Sequence, residues 1–316
     1  MLYMRTNNIK NKIFLLLTLG ALLLSSCNKP TDSSSIGDSV SDTSLVTSGD
    51  TGLDTSSDTS TGASSGTSTS STDPNPNNYY SSISDSARET TLLNGLRALN
   101  SSKRKSTVGY SSMGTSPSGQ FKYTDYDPKY AAVDGKGQIY GTRLITFYSG
   151  NSATSGMNRE HVWPKSHGGS TIDNDIHMPR PTLTSENGSR GNSFYVEGMK
   201  SSTNGWDPAM ESFGDETYRG DSARIIFYCV IADQRLSLLD VNYHATSNAN
   251  PDYKMGKLSD LLSWNIRYPV LQREMNRNEG AEYLQGNRNP FIDYPDYACR
   301  IWGKTNAATK SICGIA

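Results

Sequence analysis

The chain has 316 residues, a formal net charge of −1, and 34% hydrophobic and 9% aromatic residues. This length and apolar content suffice for one sizeable core, and the near-neutral balance excludes a protein that coats a polyanion by bulk charge. The balance is uneven: residues 1–30 carry Arg5, Lys10, Lys12 and Lys29 and no acid, residues 31–78 carry seven Asp and no base, and the remainder holds 26 basic and 24 acidic residues. Affinity for a polyanion must then come from a local groove and a metal. Lys103-Arg104-Lys105, the tight basic cluster, reads as a solvated loop.

The first 26 residues have the form of a signal peptide. Arg5, Lys10 and Lys12 precede an apolar run, 13–24, that is too short for a stable membrane span. Its ending, Leu24-Ser25-Ser26-Cys27, resembles a bacterial lipobox. That resemblance implies cleavage before Cys27, a lipid on its sulfur, and an extracytoplasmic protein held to the membrane by that anchor alone. Residues 27–80 are dominated by Ser, Thr, Gly, Asp, Asn and Pro. They bury too little apolar surface to offset the entropy of ordering, so they read as a disordered tether. A catalytic domain is expected over 81–305, followed by a tail, 306–316.

Within the domain, residues 84–98 predict a helix, capped by Ser84 or Asp85, with Leu92, Leu93, Leu96 and Leu99 as its apolar stripe. Residues 138–148, rich in Ile, Thr, Tyr and Phe, predict a strand, and a polar turn follows over 149–156. Pro179 and Pro181 predict a loop that breaks any ladder. Thr184 or Ser185 is placed to cap a short helix toward Asn192. Residues 221–234 are apolar nearly all round and predict a central helix with Asp221 at its cap. Further helices are expected over 257–265, 270–285 (ended by Gly286) and 296–302. Helices outnumber strands, so the expected class is α+β with a small sheet. Cys229 lies in an apolar run and reads as a small core residue. Cys299 and Cys313 are available to pair outside the cytoplasm, although the sequence supplies no geometry for it.

Polar chemistry concentrates in residues 158–192, which hold three of the four histidines. Hydrolysis of a phosphodiester needs a divalent cation to neutralise developing charge and a base of near-neutral pKa, for which His is suited. It also needs hard oxygen ligands for Mg²⁺ and an Arg on a phosphate. Glu160, His161, Asn192 and Arg190 make up such a set.

The run Asn158-Arg159-Glu160-His161-Val162-Trp163-Pro164-Lys165-Ser166-His167 closely resembles the signature of the bacterial endonuclease I family. So do Asp175-Ile176-His177 with Arg180-Pro181, the block Asn187-Gly188-Ser189-Arg190-Gly191-Asn192, Arg219-Gly220-Asp221, and Gly286-Asn287-Arg288-Asn289-Pro290. These motifs occur in order across roughly 88–303. The resemblance implies a ββα-metal (His-Me finger) core, His161 as general base, and Glu160 and Asn192 as ligands of one Mg²⁺ ion, with Mn²⁺ the candidate substitute. It also implies an endonuclease for DNA and RNA that contacts sugar and phosphate, with little sequence choice. A monomer is expected. Met178 stands where relatives have a polar residue.

Glu160 and His161 are neighbours, and neighbours on a strand point to opposite faces. Both can address one phosphate if the strand twists or bulges there. Arg190 reads equally as a phosphate clamp or an ion-pair partner. His177 reads as structural, His167 as a support of the loop after the strand, and Asn287 to Asn289 as core supports or groove lining. Two other functions compete for the same sequence features. A zinc hydrolase lacks its His-Glu-x-x-His, with Pro164 between His161 and His167. A non-catalytic surface adhesin or nucleic-acid-binding lipoprotein fits the tether equally well but has no use for an intact Glu160, His161 and Asn192.

Overall fold

Where strands are short and interrupted by glycine and proline, the helices must carry the core. The computed structural model of the chain describes residues 75–200, 205–241 and 251–316. The signal peptide, Cys27 and the tether as far as residue 74 lie outside the described residues. In chain order the elements are α1 (Glu89–Lys103), α2 (Tyr110–Met113), β1 (Ala131–Val133), β2 (Ile139–Gly141), β3 (Leu144–Ile145), β4 (Ser152–Ala153), β5 (Met157–His161), β6 (Pro179–Leu183), α3 (Thr184–Arg190), α4 (Tyr218–Ala232), β7 (Ser237–Leu238), β8 (Lys254–Met255), α5 (Leu258–Arg267), α6 (Gln272–Gln285), α7 (Pro290–Asp293), α8 (Tyr297–Trp302) and α9 (Ala307–Ile312). The strands pair in twos: β1–β2, β3–β4 and β5–β6 antiparallel, β7–β8 parallel. This is the expected α+β class.

The central helix is α4. It is buried from Ser222 to Ile231 and packs on α1, α5 and α7. It begins earlier than expected, and Asp221 lies inside it, paired with Arg273 rather than capping. Leu92, Leu96 and Leu99 of α1 face the core at the predicted helical spacing. That helix starts late, at Glu89, because Ser84 closes a local turn through its carbonyl to Ala87 N–H. From α1, Arg97 donates to the carbonyl of Val230, satisfying an acceptor in the last turn of α4 that no helical N–H reaches. Gly286, with φ of 92°, ends α6 as predicted.

The predicted strand over 138–148 is split into β2 and β3. At Gly141 an added Cβ would lie 2.3 Å from Cβ of Tyr126, so close chain approach breaks the run. The expected loop at Pro179 and Pro181 is instead β6. Successive backbone N–H groups of a strand point to opposite edges, so two prolines two residues apart remove donors from the same edge. Pro181 O accepts from Phe147 N–H, which identifies that edge as the one facing away from β5. The ladder to β5 therefore loses nothing.

The packed domain also exceeds its expected limits of 81 and 305. Tyr79 and Tyr80 are buried, and Tyr80 donates its hydroxyl to Asp293. Residues beyond 305 form α9, capped by Asn306, whose side chain accepts from Thr309 N–H, and Cys299 is bonded to Cys313 across a Cα separation of 5.6 Å. Cys229 is a buried free thiol in α4.

Candidate active site

β5, β6 and α3 form a hairpin followed by a helix, and the expected site residues lie on it. Pairing runs through five consecutive positions, from Met157 opposite Leu183 to His161 opposite Pro179. No residue is inserted, so the bulge considered at Glu160 is absent. Because both prolines spare the inner edge, the pleat stays regular, and Glu160 and His161 meet different neighbours.

Glu160 is 1% exposed, and its Oε1 accepts from the Tyr148 hydroxyl at 2.8 Å. Tyr148 in turn shares a 2.6 Å hydrogen bond with Tyr195. The Arg190 guanidinium lies 3.6 Å from Oε1. Burial pushes the Glu160 carboxyl above its usual range, against the opposing pull of Arg190 and of the Tyr148 hydroxyl. Tyr148 has φ of 81°, a left-handed conformation disfavoured for a bulky side chain. Its ring is wholly buried, against Phe147 and Trp206. Asn158 lies two residues before Glu160 and so on the same strand face. Asn187 of α3 donates its amide to Asn158 Oδ1 at 2.9 Å, which brings a second hard oxygen donor, the Asn187 carbonyl, to the Glu160 face.

His161 shares the other face with Arg159. Its ring lies 4.8 Å from that of Tyr110, whose Oη is 3.3 Å from His161 Nδ1 and donates to the Arg159 carbonyl at 3.3 Å. Nδ1 is thus engaged, while Nε2 is buried without a hydrogen-bond partner, the nearest carboxylate being Asp173 at 4.0 Å. Burial, then Lys165, Arg190 and Arg159, push the imidazole pKa down to about 3. The ring is therefore neutral near pH 7, and its Nε2 is not engaged in any hydrogen bond among the described residues.

The two readings of Arg190 are resolved by its surroundings. It is 1% exposed and donates to the carbonyls of His161 at 3.1 Å and Val162 at 2.7 Å. That places it as the brace of the strand end, not as a clamp open to a phosphate. Asn192 is half-buried just past α3, where Gly191 (φ of 58°) turns the chain. Its main-chain carbonyl accepts from His167 Nε2 at 3.1 Å, and His167 Nδ1 lies 2.8 Å from Asp252. Among the described residues no hydrogen bond links the Asn192 side chain to Glu160 or His161. His177 is buried against Asn287, and Asn287, Arg288 and Asn289 are all buried, in the supporting role. Tyr110, Tyr148 and Tyr195 are not singled out by the sequence, and Asn187 enters there only as a member of its motif, without a role. The block 187–192 contains Asn187, but the tyrosines lie far along the chain and carry no local signal.

Among the described residues no group of three or more His, Cys, Asp or Glu could hold a metal ion. The donors present are one carboxylate and neighbouring amide carbonyls. That set fits a small hard cation that keeps several waters, and does not fit zinc.

A family model described as Endonuclease I matches residues 98–296. An extracellular ribonuclease of Bacillus amyloliquefaciens is 37% identical over 193 residues, which cover 57% of this chain and 65% of the relative. An extracellular ribonuclease of Bacillus subtilis (strain 168) is 35% identical over 201 residues, with the same shares covered. The chain thus spans just under two thirds of the length of these relatives. The matched region includes the hairpin, α3 and the supporting helices α4 to α7, and on that match the chain belongs to the endonuclease I family.

Proposed function

We propose that the chain is an exported, metal-dependent endonuclease that hydrolyses phosphodiester bonds of RNA and DNA with little sequence choice. The observation that carries this reading is His161. One ring nitrogen lies against the Tyr110 hydroxyl and the other is buried without a hydrogen-bond partner, in the residue that follows the buried Glu160 carboxylate along the strand. His161 Nε2 takes the proton from the attacking water. Tyr148 and Arg190 hold the Glu160 carboxylate in place. Glu160, with the amide oxygen of Asn187 or Asn192, would hold Mg²⁺. When bound, the cation neutralises charge on the phosphate and leaving oxygen. The names of the relatives favour RNA as a substrate. Export and attachment through Cys27 complete the proposal.

Digestion of labelled single- and double-stranded RNA and DNA by the purified domain, with and without EDTA, tests the activity. Cleavage abolished by EDTA and restored by Mg²⁺ is expected. Binding without cleavage under all conditions would leave the adhesin reading standing instead. For the anchor, Cys27→Ala should release the domain from membranes or strand the precursor, and unchanged fractionation would refute lipidation.

A further inference from the structure

Arginines in this domain are almost all neutralised. Arg180, Arg219, Arg224, Arg273, Arg277 and Arg288 each face a carboxylate. Others, such as Arg97 and Arg143, donate to carbonyls or hydroxyls. Arg159 has neither: among the described residues its side chain makes no ion pair and no hydrogen bond, and its Nε is buried without a partner. Its guanidinium carbon lies 4.2 Å from the centroid of the Tyr110 ring. The ammonium of exposed Lys165, also without a carboxylate partner among the described residues, lies 5.2 Å from the same centroid. Two uncompensated cations are thus gathered on one half-exposed ring, and that ring abuts His161. Holding them together costs mutual repulsion that the π face of Tyr110 offsets only in part. Asp173, at the far side of His161, is not within ion-pairing distance of either. A site that concentrates unmatched positive charge in this way is completed by an anion.

We propose that Tyr110, Arg159 and Lys165 form a phosphate subsite, which binds a backbone phosphate of the nucleic acid next to the bond that His161 attacks. This rests on the nuclease reading and extends it: the substrate must be an oligonucleotide, because a lone phosphodiester cannot fill both places. Arg159 provides planar donors to the phosphate oxygens and Lys165 a mobile charge at the rim. The Tyr110 ring keeps both away from competing carboxylates.

The test uses the purified protein in EDTA, so that binding is read without cleavage. A fluorescein-labelled oligothymidylate is titrated by anisotropy across a range of salt concentrations. Arg159→Gln and Lys165→Gln are each expected to raise Kd about threefold to tenfold and to lower the slope of log Kd against log salt by about 0.7, one single-strand phosphate contact. Lys310→Gln, on exposed α9, serves as the remote control and should change neither. Unchanged Kd and salt slope in Lys165→Gln and Arg159→Gln, with a wild-type protein that binds and cuts, would overturn the subsite and spare the nuclease reading. A wild-type protein that neither binds nor cuts any oligonucleotide would remove both. Lys165 is exposed, so its variant remains decisive if the half-buried Arg159 variant folds poorly.

Discussion

His161 and His177 have much in common. Both are buried, and burial is the leading cause that pushes each imidazole down, to about 3 and about 4 respectively. Their partners separate them. His177 Nε2 meets the Asn287 carbonyl at 3.1 Å, within a network in which Asn287 also bonds Asn100 and Tyr228, and Tyr228 bonds Asp175. His161 leaves Nε2 with no partner and faces Arg159 and Lys165, two cations without a carboxylate partner among the described residues. A buried polar group with a hydrogen-bond partner helps to fix a structure, whereas an unbonded nitrogen costs stability and remains available for chemistry. Burial and a depressed pKa alone would have ranked the two histidines alike.

The strongest way to break this comparison is to exchange the expected phenotypes. His161→Ala should lose cleavage by about 10²- to 10⁴-fold, the usual contribution of a general base, while its melting temperature is held or raised. His177→Ala should lose about 2–4 kcal/mol of stability through the cavity and the unpaired carbonyl of Asn287, yet keep its specific activity below its melting point. Urea denaturation paired with RNA cleavage reads both. If His177→Ala is the inactive, stable variant, the assignment is reversed.

The ligand side of the site can be sharpened next. Glu160→Ala should weaken Mg²⁺ binding by calorimetry and regain part of its rate at high Mg²⁺, which His161→Ala should not do. Whichever of Asn187→Ala and Asn192→Ala follows Glu160→Ala identifies the amide ligand. If neither does, a carboxylate-plus-amide site is wrong.

Acid should expose the structural histidine. The folded pKa of His177, near 4, lies below the 6.5 of a free imidazole, so the unfolded chain takes up the proton first. Its contribution to stability is complete above about pH 6.5 and is lost as pH falls from there toward 4, by roughly 3 kcal/mol. Urea midpoints measured across that window should fall less steeply in His177→Ala than in wild type, and parallel curves would discard the assignment. The smallest effect is expected at Tyr110→Phe. Losing the hydroxyl on Nδ1 removes one neutral hydrogen bond and should lower the cleavage rate about threefold to tenfold, with the Kd for oligothymidylate in EDTA unchanged because the ring remains.

Much of this architecture was legible from periodicity and motif. The leucine stripe of α1, the all-apolar α4 and the Gly286 stop follow from short-range rules, and the Glu160-His161 run is the local signal for the candidate site. What failed depended on partners distant in sequence. The edge orientation of Pro179 and Pro181 is decided by Phe147, and the fate of Arg190 by carbonyls about thirty residues earlier. Tyr110, which holds His161, lies 51 residues from it and has no motif of its own. Asp221 looked like a cap because its neighbours are helical, but Arg273 on α6 draws it into the body of α4.

The outer edge of β6 has a consequence for the life of the chain as a solute. A strand that adds to a sheet edge needs N–H groups to bond. Here Pro179 and Pro181 have none, and the next donor on that edge, Leu183 N–H, is already bonded to the Glu186 carboxylate at 3.3 Å. The row of donors that would invite a second molecule is thus missing. The hairpin that carries the candidate site residues cannot be lengthened on that side by another copy of itself, so it is guarded against edge-to-edge aggregation when the surrounding helices loosen.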